Sequence, residues 1–260
     1  MAKKARAKKP TIERAVESAT DQQFAHLPTV AGLFQSLQRD RVGLERALAT
    51  RGAPDEDADR ILKALREIEE SSVDYLTSRC ERVNVYAWLR EIKGVGPRLA
   101  GMLIGLIDIR RAEHVSSLWR YAGFGVVCKE CRVPFVGDPH VCPQCGGTIG
   151  VSEQRRKGVK LSYNMKLKKT CFLLARSFLL FKTPVYFERY ESAKAYYNAN
   201  RADWPDGRRD LAARRIAIKL FLEHLWKKWR EAENLSVGMP YAHAKLGHTD
   251  YIPPPEFPSR

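Results

Sequence analysis

The feature that most constrains the fold is a pair of Cys-x₂-Cys motifs near the middle of the 260-residue chain. Cys128 and Cys131 form the first motif and, after ten intervening residues, Cys142 and Cys145 form the second. Four thiolates at this spacing close a tetrahedral zinc site with no open position for water, so the pattern predicts structural zinc. Residues 126–150 carry almost no apolar core, and we therefore expect a small β zinc ribbon that its metal folds. A redox disulfide pair is the alternative.

Basic residues outnumber acidic ones by 45 to 30, which gives a formal net charge of +15. An excess of this size predicts a polyanionic partner, with DNA or structured RNA before a membrane surface. No apolar run approaches the roughly 20 residues that span a bilayer. No apolar segment follows the basic N-terminal sequence, as it would in a secretion signal. We therefore expect a cytoplasmic, nucleoid-associated protein without a membrane partner.

Apolar residues recur at helical spacing through most of the chain, which predicts a mainly α fold. Two such segments flank Gly52 and Pro54 and predict an antiparallel helical hairpin. The apolar stripe of its second helix, Ile61, Leu65, Ile68, Tyr75 and Leu76, is either core or the seam of a homodimer. The predicted order is a basic flexible tail (1–28), the helical hairpin (29–83), a helix-hairpin-helix (84–125), the zinc ribbon (126–150), a basic segment with C-terminal helices (151–232) and an extended tail (233–260).

The segment IKGVGPRLA, residues 92–100, is typical of a helix-hairpin-helix. Gly94 and Gly96 can adopt positive φ, and Pro97 suits the first turn of the second helix. The free N–H groups of that turn and the helix dipole favour one DNA phosphate. The predicted contacts hold the backbone and read no bases, and they come from Lys93, Gly94, Val95, Gly96 and Arg98. The alternative is an ordinary tight turn between two helices.

Residues 154–169 form a basic run of seven Lys and Arg residues without an acid, where a solvated helix face would mix signs. It predicts nucleic-acid contacts through Arg155, Arg156, Lys157, Lys160, Lys166, Lys168 and Lys169, extended in the last helix by Arg215 and Lys219. A solvated helix face is the alternative. The neighbouring patterns predict a short helix capped by Ser116 and a longer one from Ser162 to Phe181, which would bury Phe181.

Taken in order, these segments resemble the C-terminal half of the insertion-sequence transposases of the one-ten family, the bridge-RNA-guided recombinases. The resemblance covers roughly residues 30–232. It rests on the hairpin at 92–100, Tyr121-Ala122-Gly123-Phe124, Gly158 with Asn164 to Lys168, Pro184 with Tyr190, and Ala212, Arg215 and Lys219 in the last helix. It implies a DNA-binding protein of transposase or recombinase type that acts in transposition or recombination.

The chain departs from that family in three ways. The N-terminal RuvC-like nuclease domain is absent, which implies a separate nuclease subunit for any strand transfer. The predicted zinc ribbon occupies a short family loop. The family's nucleophilic serine matches Ser152, although Glu153 follows it where the family has glycine, and Ser162 is the second candidate. No base is evident for either serine, so the enzyme question stays open. The alternatives are a non-enzymatic nucleic-acid-binding accessory module and a zinc-stabilised scaffold for a protein partner.

Overall fold

A computed structural model describes residues 26–52, 55–131, 133–135, 141–151, 153, 157, 161–238 and 251–257. Within this part of the chain the fold is mainly helical with one small sheet, which confirms the predicted fold class. The chain divides into two compact units between Arg79 and Cys80. The predicted basic tail lies almost wholly outside the described residues.

The first unit is a hairpin of helix α1 (Leu27–Arg51) and helix α2 (Glu56–Cys80). Gly52 ends α1 with a φ of 69°, as its position in the sequence predicts. Ion pairs join Arg41 to Glu69 at 2.6 Å and Glu45 to Arg66 at 2.8 Å. The residue number rises along one helix as it falls along the other, so the two helices are antiparallel.

The apolar stripe predicted for α2 is only partly buried. Leu76 is buried, but Ile61 and Ile68 are about half exposed. The buried face lies to one side of that stripe and includes Ala58, Leu62, Glu69, Ser72 and Leu76. Helical period alone cannot choose between adjacent faces when both carry apolar residues. The homodimer expected through this hairpin stays a prediction.

The second unit packs six helices around an aromatic centre. They are α3 (Val85–Glu91), α4 (Pro97–Leu106), α5 (Val115–Tyr121), α6 (Met165–Leu180), α7 (Tyr186–Asn200) and α8 (Asp206–Ala232). Phe178 of α6 stacks on Tyr186 of α7 with centroids 4.8 Å apart, and Phe221 of α8 lies 5.3 Å from Phe178. All three side chains are fully buried, so this cluster anchors the last three helices to one another.

Two helix starts differ from the sequence expectation. His114, not Ser116, is the N-cap of α5, and its side chain makes no capping hydrogen bond. Asn164 caps α6, accepting hydrogen bonds from the backbone N–H groups of Lys166 and Leu167. Asn is among the strongest capping residues, so it sets the start of α6 after Ser162. Phe181, predicted as core, follows the end of α6 and is exposed.

A three-stranded antiparallel sheet is inserted between α5 and α6. Strand β1 (Val126–Cys128) lies between β2 (Pro134–Phe135) and β3 (Ile149–Val151). Val126 pairs with Phe135, and Val127 pairs with both Pro134 and Val151. The sheet occupies the segment predicted as a ribbon and runs one residue beyond it.

Residues 251–257 pack on helices α3 and α8. They form no helix or strand, Pro254 is buried, and the Trp88 indole N–H donates to the Pro255 carbonyl at 3.0 Å. His224 in α8 holds the same segment through the Ile252 carbonyl at 2.9 Å. Among the described helices, none has the length and apolar character needed to cross a membrane.

Candidate metal centre and nucleic-acid interface

The four cysteines of the two motifs converge on one point at the end of the small sheet. Their sulfur atoms all lie within 4.8 Å of one another. Cys128 and Cys145 are 3.5 Å apart at sulfur, and Cys131 and Cys142 are 3.6 Å apart. Each close pair joins one cysteine of the first motif to one of the second, so the cluster ties the two motifs together. The four thiols are close enough to hold a metal ion.

Backbone hydrogen bonds shape the turns that carry these cysteines. In the second motif the Gly146 N–H donates to the Cys142 carbonyl at 2.8 Å, and the Cys142 N–H donates to the Gly147 carbonyl at 2.8 Å. Gly146 has a φ of 71°, a conformation that favours glycine. The Cys128 N–H donates to the Val133 carbonyl at 3.1 Å in the first motif. Both turns therefore present their sulfur atoms from tight backbone loops.

The other two cysteines lie outside this cluster, within helices. Cys80 ends α2 and Cys171 lies in the middle of α6, and both are fully buried. Burial raises the pKa of the Cys80 thiol to about 12 and raises that of Cys171 further. Neutral, enclosed thiols of this kind act as small apolar residues.

The loop between α3 and α4 uses its two glycines differently. Gly94 has a φ of 91°, and a Cβ placed there would lie 2.9 Å from the Ser177 Oγ. Gly96 has a φ of −77°, open to any residue, and no atom lies within 4 Å of its Cβ position. The expectation that both glycines can use positive φ therefore holds at Gly94, and Gly96 is not in that conformation.

Two hydroxyl groups anchor this loop to the end of α6. Ser177 donates from Oγ to the Gly94 carbonyl at 2.6 Å, and Thr183 donates from Oγ1 to the Lys93 carbonyl at 2.7 Å. Val95 is buried beneath the loop. With both carbonyls turned to α6 and Val95 inside, the start of α4 is exposed at Gly96, Pro97 and Arg98. No side chain caps that helix start.

The predicted basic residues separate into an outer and an inner group. Lys157, Lys166 and Lys169 are exposed, and Lys168 lies over the Tyr163 ring at 4.4 Å. Arg215 donates to the Phe124 carbonyl, and its burial lowers its pKa. The Lys219 ammonium lies 4.1 Å from the Trp119 ring centroid. Ser152, Arg155, Arg156 and Lys160 lie outside the described residues.

The second serine candidate has an acidic neighbour. Glu153 accepts two hydrogen bonds from Ser162, one from its backbone N–H at 2.9 Å and one from its hydroxyl. Both residues line a small cleft with Arg120, Gly123 and Tyr163. The two residues are nine positions apart, a separation that fits neither the helical nor the strand period, so the sequence gives no sign of this pair.

Sequence reasoning also missed Ser177 and Thr183, whose hydroxyl groups looked like ordinary polar positions at a helix end. A Ser and a Thr separated by 83 and 90 positions from their partners carry no local signal. The resemblance to the one-ten transposases stays a prediction. No family model, no curated protein and no solved structure matches this chain.

Proposed function

We propose that this protein binds nucleic acid, DNA first, by holding phosphates along a surface that joins the α3–α4 loop to α6. The observation that carries the proposal is the pair of hydroxyl contacts from Ser177 and Thr183 to the loop carbonyls. These contacts set the exposed start of α4 beside the C-terminal end of α6. An uncapped helix start with a positive dipole end is suited to one phosphate.

Charge along α6 supports the same proposal. The helix contains no acidic residue, and Lys166, Lys168 and Lys169 lie in its first turns. Lysines at this end of a helix face the positive end of the dipole and destabilise the helix by about 0.3–1 kcal/mol each. A bound polyanion would offset that cost. The connecting segments at 92–98 and 181–185 are also free of acids and add Lys93, Arg98 and Lys182 near the other end of the helix.

Binding through phosphates alone should depend steeply on salt. Four to six phosphate contacts would give a slope of log K against log salt of about −4 to −5 on duplex DNA. Lys93→Ala and Lys169→Ala should each flatten this slope by about one unit and leave sequence preference unchanged. Lys63→Ala in α2 is the control, since that lysine lies in the other unit. A slope near zero for the unmodified protein would contradict the proposal.

We further propose that the four-cysteine cluster holds a structural zinc ion. Tetrahedral zinc with Zn–S bonds of about 2.3 Å requires sulfur atoms about 3.8 Å apart, close to the 3.5 and 3.6 Å separations of the two near pairs. Four thiolates leave no position for a reactive water. When bound, the ion would supply cross-linking and folding energy rather than chemistry.

A recombinase activity is the second candidate function, and the contact between Ser162 and Glu153 favours it. A carboxylate that accepts the serine hydroxyl proton is one way to activate a nucleophile. Incubation with supercoiled or junction DNA, followed by denaturing electrophoresis, tests for a covalent protein–DNA adduct. An adduct lost in Ser162→Ala or in Ser152→Ala would identify the nucleophile. If no adduct forms with or without added divalent metal, the protein is a non-enzymatic module.

A further inference from the structure

The exposed face of α6 carries alternating apolar and basic side chains. Met165, Lys169, Phe172, Arg176 and Leu180 follow one another at spacings of four, three, four and four residues. At 3.6 residues per turn these positions fall within about 80° around the helix. The opposite face is the buried one, with Leu167, Cys171, Leu174 and Phe178 at its centre. The outer row is therefore a second, separate apolar face.

The apolar side chains of this row are open to solvent. Met165 at the start of α6 is 50% exposed, and Phe172 in its middle is 45% exposed. Leu180 at its end is 78% exposed. Single exposed apolar residues are common, but a row of them along one helix face marks a contact surface. The α3–α4 loop contacts the C-terminal end of the same helix, through Ser177 and through Phe181 after its last residue.

Charge selects the kind of partner that this face fits. Lys169 lies one turn before Phe172, and Arg176 lies one turn after it. These two cations are about 10 Å apart along the helix axis, and the helix carries no acid. An apolar protein surface would leave both charges unpaired, whereas a polyanion with flat apolar rings would complement the whole row. A nucleic-acid strand has both features.

The exposed ring of Phe172 can distinguish unpaired bases from paired ones. In an intact duplex the base faces are covered by stacking, so a phenyl ring could reach only sugars and base edges. An unpaired base offers a free face, and stacking of such a base on an aromatic side chain tolerates every sequence. Phosphates on either side of that base could then pair with Lys169 and Arg176.

We propose that Phe172, flanked by Lys169 and Arg176, is a stacking site for an unpaired base of DNA or RNA. Phe172 lies on the helix that anchors the phosphate-binding loop, five residues before Ser177, so the favoured ligand has a duplex next to an unpaired strand. This inference rests on the proposed nucleic-acid function and names the ligand of the same surface. It predicts that binding of the unpaired strand, and not binding of the duplex, depends on the aromatic ring of Phe172.

The test compares three fluorescein-labelled probes by anisotropy at one salt concentration. They are a thymine oligonucleotide, a mixed-sequence duplex and that duplex with an unpaired thymine tail. Phe172→Ala should weaken binding of the oligonucleotide and the tailed duplex by about tenfold, and change binding of the blunt duplex by less than about twofold. Phe172→Trp should restore the loss. The matched control is Tyr196→Ala, which removes an aromatic side chain that is 58% exposed on α7 and should change nothing.

The outcomes separate this inference from the proposed function. If the unmodified protein binds the blunt duplex but Phe172→Ala weakens all three probes equally or none of them, the stacking site is wrong and phosphate binding stands. If the unmodified protein binds none of the probes, both proposals fail. Binding to anionic phospholipid vesicles that Phe172→Ala abolishes, without any effect on the three probes, would assign this face to a membrane and overturn the stacking site. Should Phe172→Ala fail to fold by circular dichroism, Arg176→Gln replaces it, with the same loss expected on the unpaired probes.

Discussion

The ribbon at residues 126–151 and the helical body of the second unit are held together by different means. The body buries aromatic rings such as Phe178, Tyr186 and Phe221 against one another. The ribbon has two- and three-residue strands, and its buried residues in the described part are Val127, Cys128 and Cys142. Because strands this short bury little apolar area, the four thiols are the feature that joins its turns.

Because of this difference, we expect the two regions to unfold independently. Apolar burial stabilises the body through many small contacts spread over six helices. In the ribbon, the four thiols join the two turns beside a sheet of very short strands. A substitution at the thiols should therefore leave the helices folded. A substitution in the aromatic cluster should destabilise every helix that packs on it.

The largest effect is expected from removal of the metal. The purified protein should hold about one zinc ion per chain, and Cys128→Ser or a chelator should unfold the ribbon, since apparent zinc binding energies in small domains are about 10–16 kcal/mol. Elemental analysis gives the metal content, and hydrogen exchange shows which amides lose protection. Cys80→Ala is the control and should keep the metal. Loss of helical circular dichroism on chelation would show that the helical body also depends on the metal.

The next effect is expected in the aromatic cluster. Phe178→Ala should lower the free energy of unfolding by about 3–5 kcal/mol, because it leaves a cavity beside Tyr186 and Phe221. Phe172→Ala on the exposed face of the same helix should change it by about 0.5 kcal/mol or less. Urea unfolding followed by tryptophan fluorescence measures both variants. Similar losses in the two would show that the outer row of α6 is also core.

The third effect is a dependence of the stability of the helical body on pH. Burial lowers the pKa of His224 from 6.5 to about 4. Between these values the unfolded chain binds the proton and the folded chain does not. Stability is therefore full above about pH 6.5 and falls as the pH drops toward 4, by about 3 kcal/mol in all. In the folded protein the Nε2–H donates to the Ile252 carbonyl, so Nδ1 accepts from the Tyr186 hydroxyl.

Urea unfolding at several pH values measures this dependence. His224→Gln should remove most of it, whereas replacement of the exposed His114 by Gln should leave it unchanged. An unchanged pH profile in His224→Gln would mean that other groups titrate and that His224 is charged or accessible in the folded state.

The smallest effect is expected in the α3–α4 loop. This loop is anchored to α6 and so forms part of the helical body. Gly94→Ala should cost about 1–2 kcal/mol, since a side chain at positive φ is strained and would press on Ser177. Gly96→Ala should cost less than about 0.5 kcal/mol. Gly94→Ala should also weaken duplex binding by shifting the start of α4. Equal behaviour of the two variants in unfolding and in anisotropy would show that the loop geometry does not matter.

Much of this architecture was predictable because its signals are local. The cysteine spacing predicted the ribbon and the four thiols that converge in it, and Gly52 predicted the end of α1. The apolar period predicted the helices, although Asn164 rather than Ser162 caps α6 and Gly94 rather than Gly96 has the positive φ. Neighbouring residues compete for the same local role, and only backbone geometry shows which of them fills it.

The helical class, the inserted ribbon and the positive charge follow from the amino-acid sequence, because periodicity, cysteine spacing and composition act within short segments. Packing in three dimensions is what brings Ser177 and Thr183 to the α3–α4 loop, Glu153 to Ser162, and residues 251–257 to Trp88 and His224. Each of these contacts joins residues whose separation in the chain is unrelated to their distance in space. Packing of the aromatic core fixes where the helix ends meet, and so decides which distant polar groups become neighbours.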